Sequence, residues 1–465
     1  MRKHLLLPLL LALLQNGHSQ NLLGLATSRF AGTNALVLNP ALGAANPHQF
    51  YVNLATASGH VNNNFGQYEG ANSLLNTVLR GKSLLPNDIS ELPGNGLKSG
   101  DLLADLRGPA VMLALKNKNS IAITTRVRSG FQLRDASKTL IGLVRAKLDD
   151  PAFYNQALRD DAFSVNSNVL AEIGVSYSQV VYEQDQHFLS VGGTLKRVSG
   201  VFSAHFKNTG MNYRVEPAGQ PDEGLLFISQ ISGELGYTTA EGISKFSVDP
   251  SQILSKFKPN WFWGQGTPGA GWGFDLGAVY EFRPTAEYYK LRVGMAVTDI
   301  GAVNYKTDTK KFFFDTKGRE IGFEHTLELP TVEPKLNLTD ANNVGQFRSM
   351  LPTALNLTAD LRLSDDFYVS ATYIQNLVAA GAVAMRQPSL LAIVPRFEGK
   401  GSGIAVPINY INGALRAGIA VRFGPVFLGS DNVLDFVNNK ARGADIYAGL
   451  AVMGLRKKRR SRSGG

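Results

Sequence analysis

The sequence predicts an all-β protein, a closed antiparallel transmembrane β-barrel of about 14–16 strands. Three observations lead to this prediction. The chain opens with an export signal, apolar and polar residues alternate in segments of about ten residues, and the connections between these segments alternate between short and long. Because a tilted strand crosses a bilayer with about ten residues, each segment has the length of one transmembrane strand.

The N-terminus has the parts of a secretory signal peptide. Basic residues precede the apolar run Leu5–Leu14, and Gly17 and Ser19 supply the small residues of a cleavage site. A membrane-spanning helix needs about 20 apolar residues, and this run is much shorter. We therefore expect residues 1–19 to be removed on export.

The composition excludes several kinds of site. The chain has no cysteine, which excludes a disulfide framework, a thiolate nucleophile and a zinc–thiolate cluster. Most of its net charge of +10 lies at its two ends, in Arg2 and Lys3 and in six basic residues of the tail 456–465. Removing these eight from the 47 basic residues leaves 39, against 37 acidic residues. We therefore expect no nucleic-acid partner, and the tail is either a solvated end or a contact for anionic lipid.

The clearest alternation predicts a β-hairpin. It runs from Leu351 to Leu363, continues through the polar turn 364–366 and resumes from Phe367 to Tyr373. Aromatic residues bound the apolar face of Trp272–Phe282, as in the interfacial girdles of a membrane barrel. The other predicted strands are Phe50–Ala57, Ala110–Lys116, Ile121–Arg128, Val169–Tyr182, Leu189–Arg197, a weak strand near Val201–Val215, Leu225–Tyr237, Tyr289–Thr298, Leu391–Glu398, Ile404–Tyr410, Leu415–Phe423, a short strand near Val426, and Ile446–Leu455.

The lengths of the connections indicate a single barrel and its orientation. Short polar turns alternate with long connections at about 66–106, 135–165, 240–269 and 299–350. Outer-membrane barrels place their short turns in the periplasm and their long loops outside the cell. We therefore expect one barrel domain over residues 48–455 with both of its ends in the periplasm.

The face opposite the apolar one carries charges of both signs, which we expect to line a wet lumen. Opposite charges that face each other lower the cost of burying them. A water-soluble all-β protein also shows such alternation. The residues predicted to face inward here are, however, too polar for the packed core of such a protein. The candidate lumen-facing residues are Arg126, Arg128, Asp275, Glu281, Arg292, Asp360, Arg362, Arg416 and Arg422.

Short motifs stand out along the chain, namely Ser28–Asn34, Asn39–Ala41, Gly271–Ala278, Thr298–Gly301 followed by Tyr305, Pro395–Glu398 and Phe427–Asn432. In this order they resemble a family of Bacteroidota outer-membrane β-barrels of unknown function. That family is distantly similar to FadL-type transporters of hydrophobic compounds and to PorV-type secretion barrels. The resemblance covers nearly the whole chain after the signal.

The resemblance implies that residues 20–47 fold into the barrel as a plug. An extended arm in the periplasm is the alternative for a terminus without a clear period. The plug residues that the resemblance implies are Phe30, Gly32, Asn34, Asn39 and Pro40.

No catalytic or metal-binding pattern is apparent. Ser190 and His187 differ in parity, so they point to opposite faces of a strand. We expect no enzyme activity, no metal and no cofactor. The resemblance implies an outer-membrane protein in contact with lipid. It acts either as a channel or transporter for small apolar compounds, or as a non-conducting scaffold that binds surface or secretion proteins through its long loops.

Overall fold

The computed structural model of the protein describes residues 22–80, 88–115, 118–146, 148–217, 224–239, 257–285, 288–324, 329–411, 414–438 and 440–455. The predicted signal peptide (1–19) and the basic tail (456–465) lie outside these ranges, as do Lys116 at the end of one predicted strand and most of the predicted long connection 240–269.

The strands, in chain order, are β1 (His48–Asn63), β2 (Gly66–Glu69), β3 (Ile89–Glu91), β4 (Lys98–Arg107), β5 (Ala110–Ala114), β6 (Asn119–Ala136), β7 (Leu158–Asp160), β8 (Phe163–Gln184), β9 (His187–Pro217), β10 (Gly224–Thr238), β11 (Gly269–Phe282), β12 (Leu291–Tyr305), β13 (Thr309–Asp315), β14 (Ile321–Glu324), β15 (Phe347–Met350), β16 (Ala354–Arg362), β17 (Phe367–Asn376), β18 (Leu390–Glu398), β19 (Ser402–Ala405), β20 (Ile408–Ile411), β21 (Ala414–Ala417), β22 (Ile419–Phe423), β23 (Val426–Ser430), β24 (Lys440–Ala441) and β25 (Gly443–Leu455).

Helices are few and short. The α-helices are α1 (Leu23–Ala26), α2 (Leu74–Leu79), α3 (Lys138–Arg145), α4 (Leu329–Lys335) and α5 (Val433–Val437), and the 3₁₀ turns are Gly32–Asn34, Pro40–Gly43, Pro151–Phe153, Pro259–Trp263 and Asp340–Asn342. In the part of the chain that the structure describes, no helix is long and apolar enough to cross a membrane.

Fourteen antiparallel wall strands form a closed barrel. The ring closes because β1 pairs with β25, from His48 beside Leu455 to Asn62 beside Gly443. The predicted transmembrane β-barrel is confirmed, at the lower end of the predicted strand count. The wall strands are β1, β4 with β5, β6, β8, β9, β11, β12, β15 with β16, β17, β18, β19 with β20, β21 with β22, β23 and β25.

The two ends of the barrel differ as the connection lengths predict. At one end, which we call the turn end, β1 begins, β25 ends, and short turns such as 185–186 and 424–425 join the strands. At the other, the loop end, most connections are long, although only two residues separate β20 from β21, and β2, β3 and β24 form a small separate sheet.

A cap extends the sheet beyond the loop end. The second half of β9 pairs with β7 and β10, and β10 pairs with β13 and β14. The cap has its own apolar core, which includes Met211, Tyr213, Leu226, Ile228, Leu235, Phe312, Phe314, Ile321, Phe323 and Leu336.

The cap explains why the predicted count reached sixteen. Val201–Val215 is no separate weak strand but the continuation of the 31-residue β9. Leu225–Tyr237 lies in β10, which belongs to the cap and not to the wall. Both segments alternate because one of their faces packs on the cap core, and a strand with one covered face shows the same period as a strand facing lipid.

The outward-facing side chains of the wall form an apolar band. Leu276, Met295 and Ile393 are 60%, 57% and 50% exposed, although they are large and apolar. Water-soluble monomers rarely expose a contiguous apolar patch of more than a few hundred Å². The band is the surface that faces lipid in a transmembrane barrel. Further members are Val111, Ile123, Val175, Leu195, Phe274, Leu357, Leu391, Ile408, Val421, Leu428 and Leu450.

We expect Leu357→Arg to lower the free energy of unfolding by about 2–4 kcal/mol, the cost of arginine near the bilayer midplane. Leu357 lies opposite Met295 in the middle of β16. The matched control is Leu363→Arg, at a position 50% exposed in a turn at the turn end, where about 0–1 kcal/mol is expected. Urea unfolding in phospholipid vesicles measures both. Equal costs would contradict a lipid-covered band.

The cap contains a carboxylate whose pKa is lowered. Burial by itself raises the pKa of Glu234, but hydrogen bonds with His205 and Lys311 outweigh burial and lower the pKa to about 2. His205 Nε2 and Lys311 Nζ each lie 2.9 Å from Glu234 Oε1. The ionised carboxylate therefore stabilises the cap above its ordinary pKa of 4.5, and this stabilisation is lost as the pH falls from there toward 2.

Hydrogen exchange of the β10 and β13 amides tests this linkage. Between pH 7 and pH 2 we expect the local unfolding free energy of the cap to fall by about 1–2 kcal/mol because of Glu234. The variant Glu234→Gln has no carboxylate to protonate, so its decrease should be smaller by that amount. The same decrease in both proteins would contradict the assignment.

Candidate functional site

Residues 22–47, which we call the N-terminal segment, lie inside the ring of wall strands. Helix α1 contacts β18, β19, β22 and β23, whereas the turn Pro40–Gly43 contacts β6, β8, β9 and β11 on another part of the ring. Most of the segment is buried, and none of it belongs to a sheet ladder. Its position therefore depends on side-chain packing and on individual hydrogen bonds.

Asp431 holds the start of the segment. Its carboxylate accepts hydrogen bonds from the backbone N–H groups of Leu23 (2.8 Å) and Gly24 (3.3 Å). The hydroxyl of Tyr447 donates to the same carboxylate at 3.0 Å. An acceptor at this end of a helix satisfies N–H groups that the helix itself leaves unpaired. The last strands of the ring thus fix the first described residues of the chain.

Asn39 holds the middle of the segment in a notch of the wall. Its side-chain amide donates to the carbonyl oxygens of Ala278 (3.1 Å) and Met295 (3.2 Å), which face each other across β11 and β12. Gly277 provides the notch, because a Cβ there would overlap the Asn39 side chain. Other wall residues that hydrogen-bond to backbone atoms of the segment are Ser190, Arg292, Asn356 and Glu398.

One side of the lumen is apolar. Leu22, Leu23, Leu25, Leu36 and Leu38 of the segment are each at most 4% exposed. They pack against inward-facing residues of the wall, which include Ile374, Leu390, Val394, Ala405, Ile411, Ala420 and Phe427.

The five residues predicted for this segment are all buried. The ring of Phe30 lies 6.1 Å from that of His48 and 4.8 Å from the guanidinium carbon of Arg422. The Asn34 amide donates to Thr56 Oγ1 at 3.4 Å. The five buried residues are Phe30, Gly32, Asn34, Asn39 and Pro40.

The other side of the lumen carries a network of buried ion pairs. Its centre is Asp299, which lies 2.7 Å from Arg128 and 2.5 Å from Lys196. The basic and acidic members are equal in number, so the network has no net charge when all are ionised. We call it the lumen network, and its members are Asp105, Arg107, Arg126, Arg128, Glu172, Lys196, Asp275 and Asp299.

A cavity separates the lumen network from the N-terminal segment. It is lined by Thr33, Asn34, Leu36 and Val37 of the segment and by Arg107, Arg126, Glu172, Lys196, Asp275 and Asp299 of the network. Thr33 Oγ1 and Asn34 Oδ1 are buried, and neither has a hydrogen-bond partner among the described residues. Such a polar, partly unsatisfied space suits water or a small ligand with polar groups.

A second group of ion pairs lies nearer the turn end. Arg292 Nε is 2.6 Å from Glu281, and Arg396 Nη2 is 2.5 Å from Asp360. Arg362 lies at the rim, where it pairs with the turn residue Asp365 at 2.9 Å.

The nine predicted lumen-facing residues are thus placed in separate groups. Arg126, Arg128 and Asp275 belong to the lumen network. Glu281, Arg292, Asp360 and Arg362 belong to the second group of pairs, and Arg422 lies beside Phe30. Arg416 lies toward the loop end, where its guanidinium donates to Asn62. Alternation along a strand predicts which way each of these side chains points. Their grouping depends on how the closed ring brings distant strands together.

The sequence pattern does not mark Asp105, Asp299 or Asp431 as functional residues. It places Asp105 in the long connection 66–106, whereas in the structure β4 already runs from Lys98 to Arg107. Asp299 has a positive φ of 57°, beside a bulge in the pairing of β11 with β12, so the alternation is interrupted there. A usable signal was the Asp–Leu–Asp–Arg alternation at positions 101, 103, 105 and 107.

Ser190 and His187, the pair considered as nucleophile and base, are not brought together in the structure. No group of three or more His, Asp or Glu side chains in the described ranges is placed to hold a metal ion. Ser190 is buried on the lumen side, whereas His187 is exposed and bonds to the Tyr280 hydroxyl at 2.7 Å. The two side chains lie on opposite faces of β9, as their parity predicts.

We expect Asp299→Asn to lower the free energy of unfolding by about 3–5 kcal/mol, because it leaves buried cations of the network without their counter-charge. Asparagine tolerates the positive φ at this position, so the backbone is conserved. The double variant Asp299→Asn with Lys196→Met restores the charge balance and should recover part of the loss. Urea unfolding in lipid vesicles measures both. A double variant that loses the sum of the two single effects would contradict a coupled network.

No curated protein matches the sequence. Among solved structures, a deletion mutant of the monoaromatic hydrocarbon channel TodX is similar with a TM-score of 0.42 and 10% identity, over 92% of this chain and 95% of that one. The toluene transporter TodX of Pseudomonas putida has a TM-score of 0.34 and 8% identity, with 95% of each chain covered.

A FadL homologue of Pseudomonas aeruginosa has a TM-score of 0.22 and 10% identity, over 90% of this chain and 93% of that one. A model of one sequence family matches residues 40–431, from the Pro40–Gly43 turn to Asp431. This chain therefore belongs to the family of unknown function DUF5723.

Proposed function

We propose that the protein is an outer-membrane channel or transporter for small apolar compounds and that the N-terminal segment is its gate. One observation carries the proposal: the lumen is occupied by a segment that no sheet ladder holds. The packing of its leucines and separate hydrogen bonds, among them those of Asp431 and Asn39, hold it in place. A unit held in this way can leave the lumen without unpairing any strand, whereas side chains of the strands cannot leave.

The lining of the lumen supports an apolar, uncharged substrate. The leucines of the segment lie against Ile374, Val394, Ile411 and Phe427, so displacing the segment exposes an apolar surface. The lumen network on the other side is balanced in charge and presents no net field that would concentrate ions. A neutral, mainly apolar molecule fits both surfaces.

The proposed location follows from the barrel and the N-terminus. The apolar band needs a bilayer, and barrels of this kind belong to outer membranes of the Gram-negative type, as in the Bacteroidota. We propose that residues 1–19 direct export and are removed, that the turn end faces the periplasm and that lipid is a constant partner. The basic tail then lies on the periplasmic side.

A scaffold that binds surface or secretion proteins is the second candidate function. The observation that favours it is the cap, which exposes Phe313 (62%) beyond the loop end, and Trp263 nearby is 64% exposed. Large exposed aromatic side chains outside the lipid band suit a protein interface. In both functions we propose that the protein acts without catalysis, cofactor or nucleic acid.

We expect Gly277→Val to open the barrel, since its side chain occupies the notch that holds Asn39. Two lost hydrogen bonds are worth about 1–3 kcal/mol, which shifts the closed–open equilibrium by roughly 5- to 150-fold. Ion conductance in planar lipid bilayers measures the shift. The matched control is Gly193→Val, because a Cβ at Gly193 meets other atoms only at ordinary distances.

A disulfide tests the same gate in the closed direction. A Cβ at Gly43 lies 2.5 Å from Ser178 Oγ, which places the two positions at a separation suited to a disulfide. The chain has no other cysteine, so Gly43→Cys with Ser178→Cys forms a defined staple. Conductance should be suppressed when the staple is oxidised and return on reduction. If oxidation leaves the open events unchanged, the segment is not the gate.

Purification in mild detergent followed by mass spectrometry separates the two functions. The transport proposal expects small apolar compounds to accompany the protein, at lower occupancy in the oxidised Gly43→Cys/Ser178→Cys variant. The scaffold proposal expects a second protein at fixed stoichiometry. Recovery of neither would count against both.

A further inference from the structure

The connection 377–389 between β17 and β18 crosses the loop end of the lumen. Its residue Arg386 reaches the side chain of Gln132 on β6. In the order of the wall strands β6 is third and β18 is tenth, so the two lie seven positions apart in a ring of fourteen. The connection therefore spans the lumen from one wall to the opposite one. We call residues 377–389 the strap.

Gln132 grips the backbone of the strap. Its Nε2 donates to the carbonyl oxygen of Arg386 at 2.6 Å, and its Oε1 accepts from the Arg386 N–H at 2.7 Å. This side-chain amide thus forms the two-bond pattern that a neighbouring strand would form. Gln132 is 0% exposed, so the contact is shielded from water.

Met385 lies in the lumen directly beside these two hydrogen bonds. It is 5% exposed and lies in a notch at Gly130, where a Cβ would overlap the methionine Cε. Leu103 on β4 forms the other side of the notch, because it lies opposite Gly130 in the pairing of β4 with β6. The next inward position of β6 toward the turn end is Arg128 of the lumen network. Met385 therefore lies immediately above that network.

Further contacts fix the shape of the strap. The carbonyl oxygen of Val383 accepts from the N–H of Met350 at 2.9 Å, and that of Gly381 accepts from Lys207 Nζ at 2.9 Å. The Arg386 guanidinium donates to the carbonyl oxygen of Ala379 within the strap at 3.2 Å. The strap is thus an ordered bridge, and Gln132 and the notch at Gly130 attach it to β6.

We propose that the strap is a second barrier, which closes the lumen at the loop end, and that Gln132 is its latch. The lumen network then lies between two separate barriers, the strap above and the N-terminal segment below. Breaking the contacts of Gln132 and Met385 weakens the attachment of the strap to the far wall without breaking any strand pairing. The purpose of such a barrier rests on the proposed transport function. Its existence is tested by whether a reagent reaches the lumen, and not by the transport of a substrate.

A single reporter cysteine measures that access. Ser58 faces the lumen, is 4% exposed, and pairs with Asp105, two residues nearer the turn end than Leu103. Ser58 Oγ has no hydrogen-bond partner among the described residues, so Ser58→Cys disturbs little. Since the chain has no other cysteine, a charged, water-soluble methanethiosulfonate reagent modifies this position alone.

The modification rate is measured on the full chain in detergent. In the otherwise unchanged protein the rate should be low. Gln132→Ala and, separately, Met385→Ala should each raise it about tenfold, the effect of a change in coupling of the size that a few contacts provide. The matched control is Gln230→Ala in the cap, which removes a glutamine whose side chain bonds to the exposed Asn212 and should leave the rate unchanged.

Heat-modifiable migration on a denaturing gel confirms that each variant is folded before it is labelled. A high rate in the unchanged protein would show that the strap closes nothing. A low rate that neither latch variant raises would also overturn the proposal. If Gly277→Val raises the rate and the latch variants do not, access comes from the turn end, and the segment remains a gate while the strap does not.

Discussion

Backbone pairing around a closed ring is the constraint on which the rest of the structure depends. A bilayer offers no water to an unpaired N–H or C=O group, so each wall strand, including β1 and β25, needs two neighbours. In an extended strand every second side chain points to the inside of the ring. A ring of fourteen strands encloses more space than those side chains fill. The interior must therefore be lined with groups that tolerate burial or be occupied by another part of the chain. This protein does both.

The interior divides into two unlike halves. Along β17–β23 the wall is apolar where the segment's leucines pack, whereas from β4 to β12 it carries paired charges. Burying a charge beside its partner is tolerable, while removing one partner leaves a large uncompensated cost. The charged half is thus rigid by necessity, and the attachments of the N-terminal segment and the strap are the parts of the lumen that can change without unpairing the network.

Period-two alternation sufficed for most of the wall, since lipid outside and polar groups inside impose it on every strand. It predicted the strands around Leu351–Leu363 and Ile446–Leu455. Arg126 and Asp360, which were expected to face inward, are both buried. It also predicted the strand Leu225–Tyr237 but assigned it wrongly to the wall, because a cap core and a bilayer leave the same pattern. The partners across the lumen, such as Asp299 with Arg128, are beyond any local pattern, because they depend on how the closed ring brings distant strands together.

The position of the N-terminal segment also bears on how the protein is assembled. The segment runs directly into β1, yet its first described residues are held by Asp431 and Tyr447, which belong to the final part of the chain. Those hydrogen bonds can form only once Asp431 and Tyr447 are in place, which is when the last strands of the ring have been made. The start of the segment is therefore fixed no earlier than the end of the barrel, although it precedes β1 in the chain. A defect at Asp431 thus releases the first described residues while leaving the pairing of every wall strand intact.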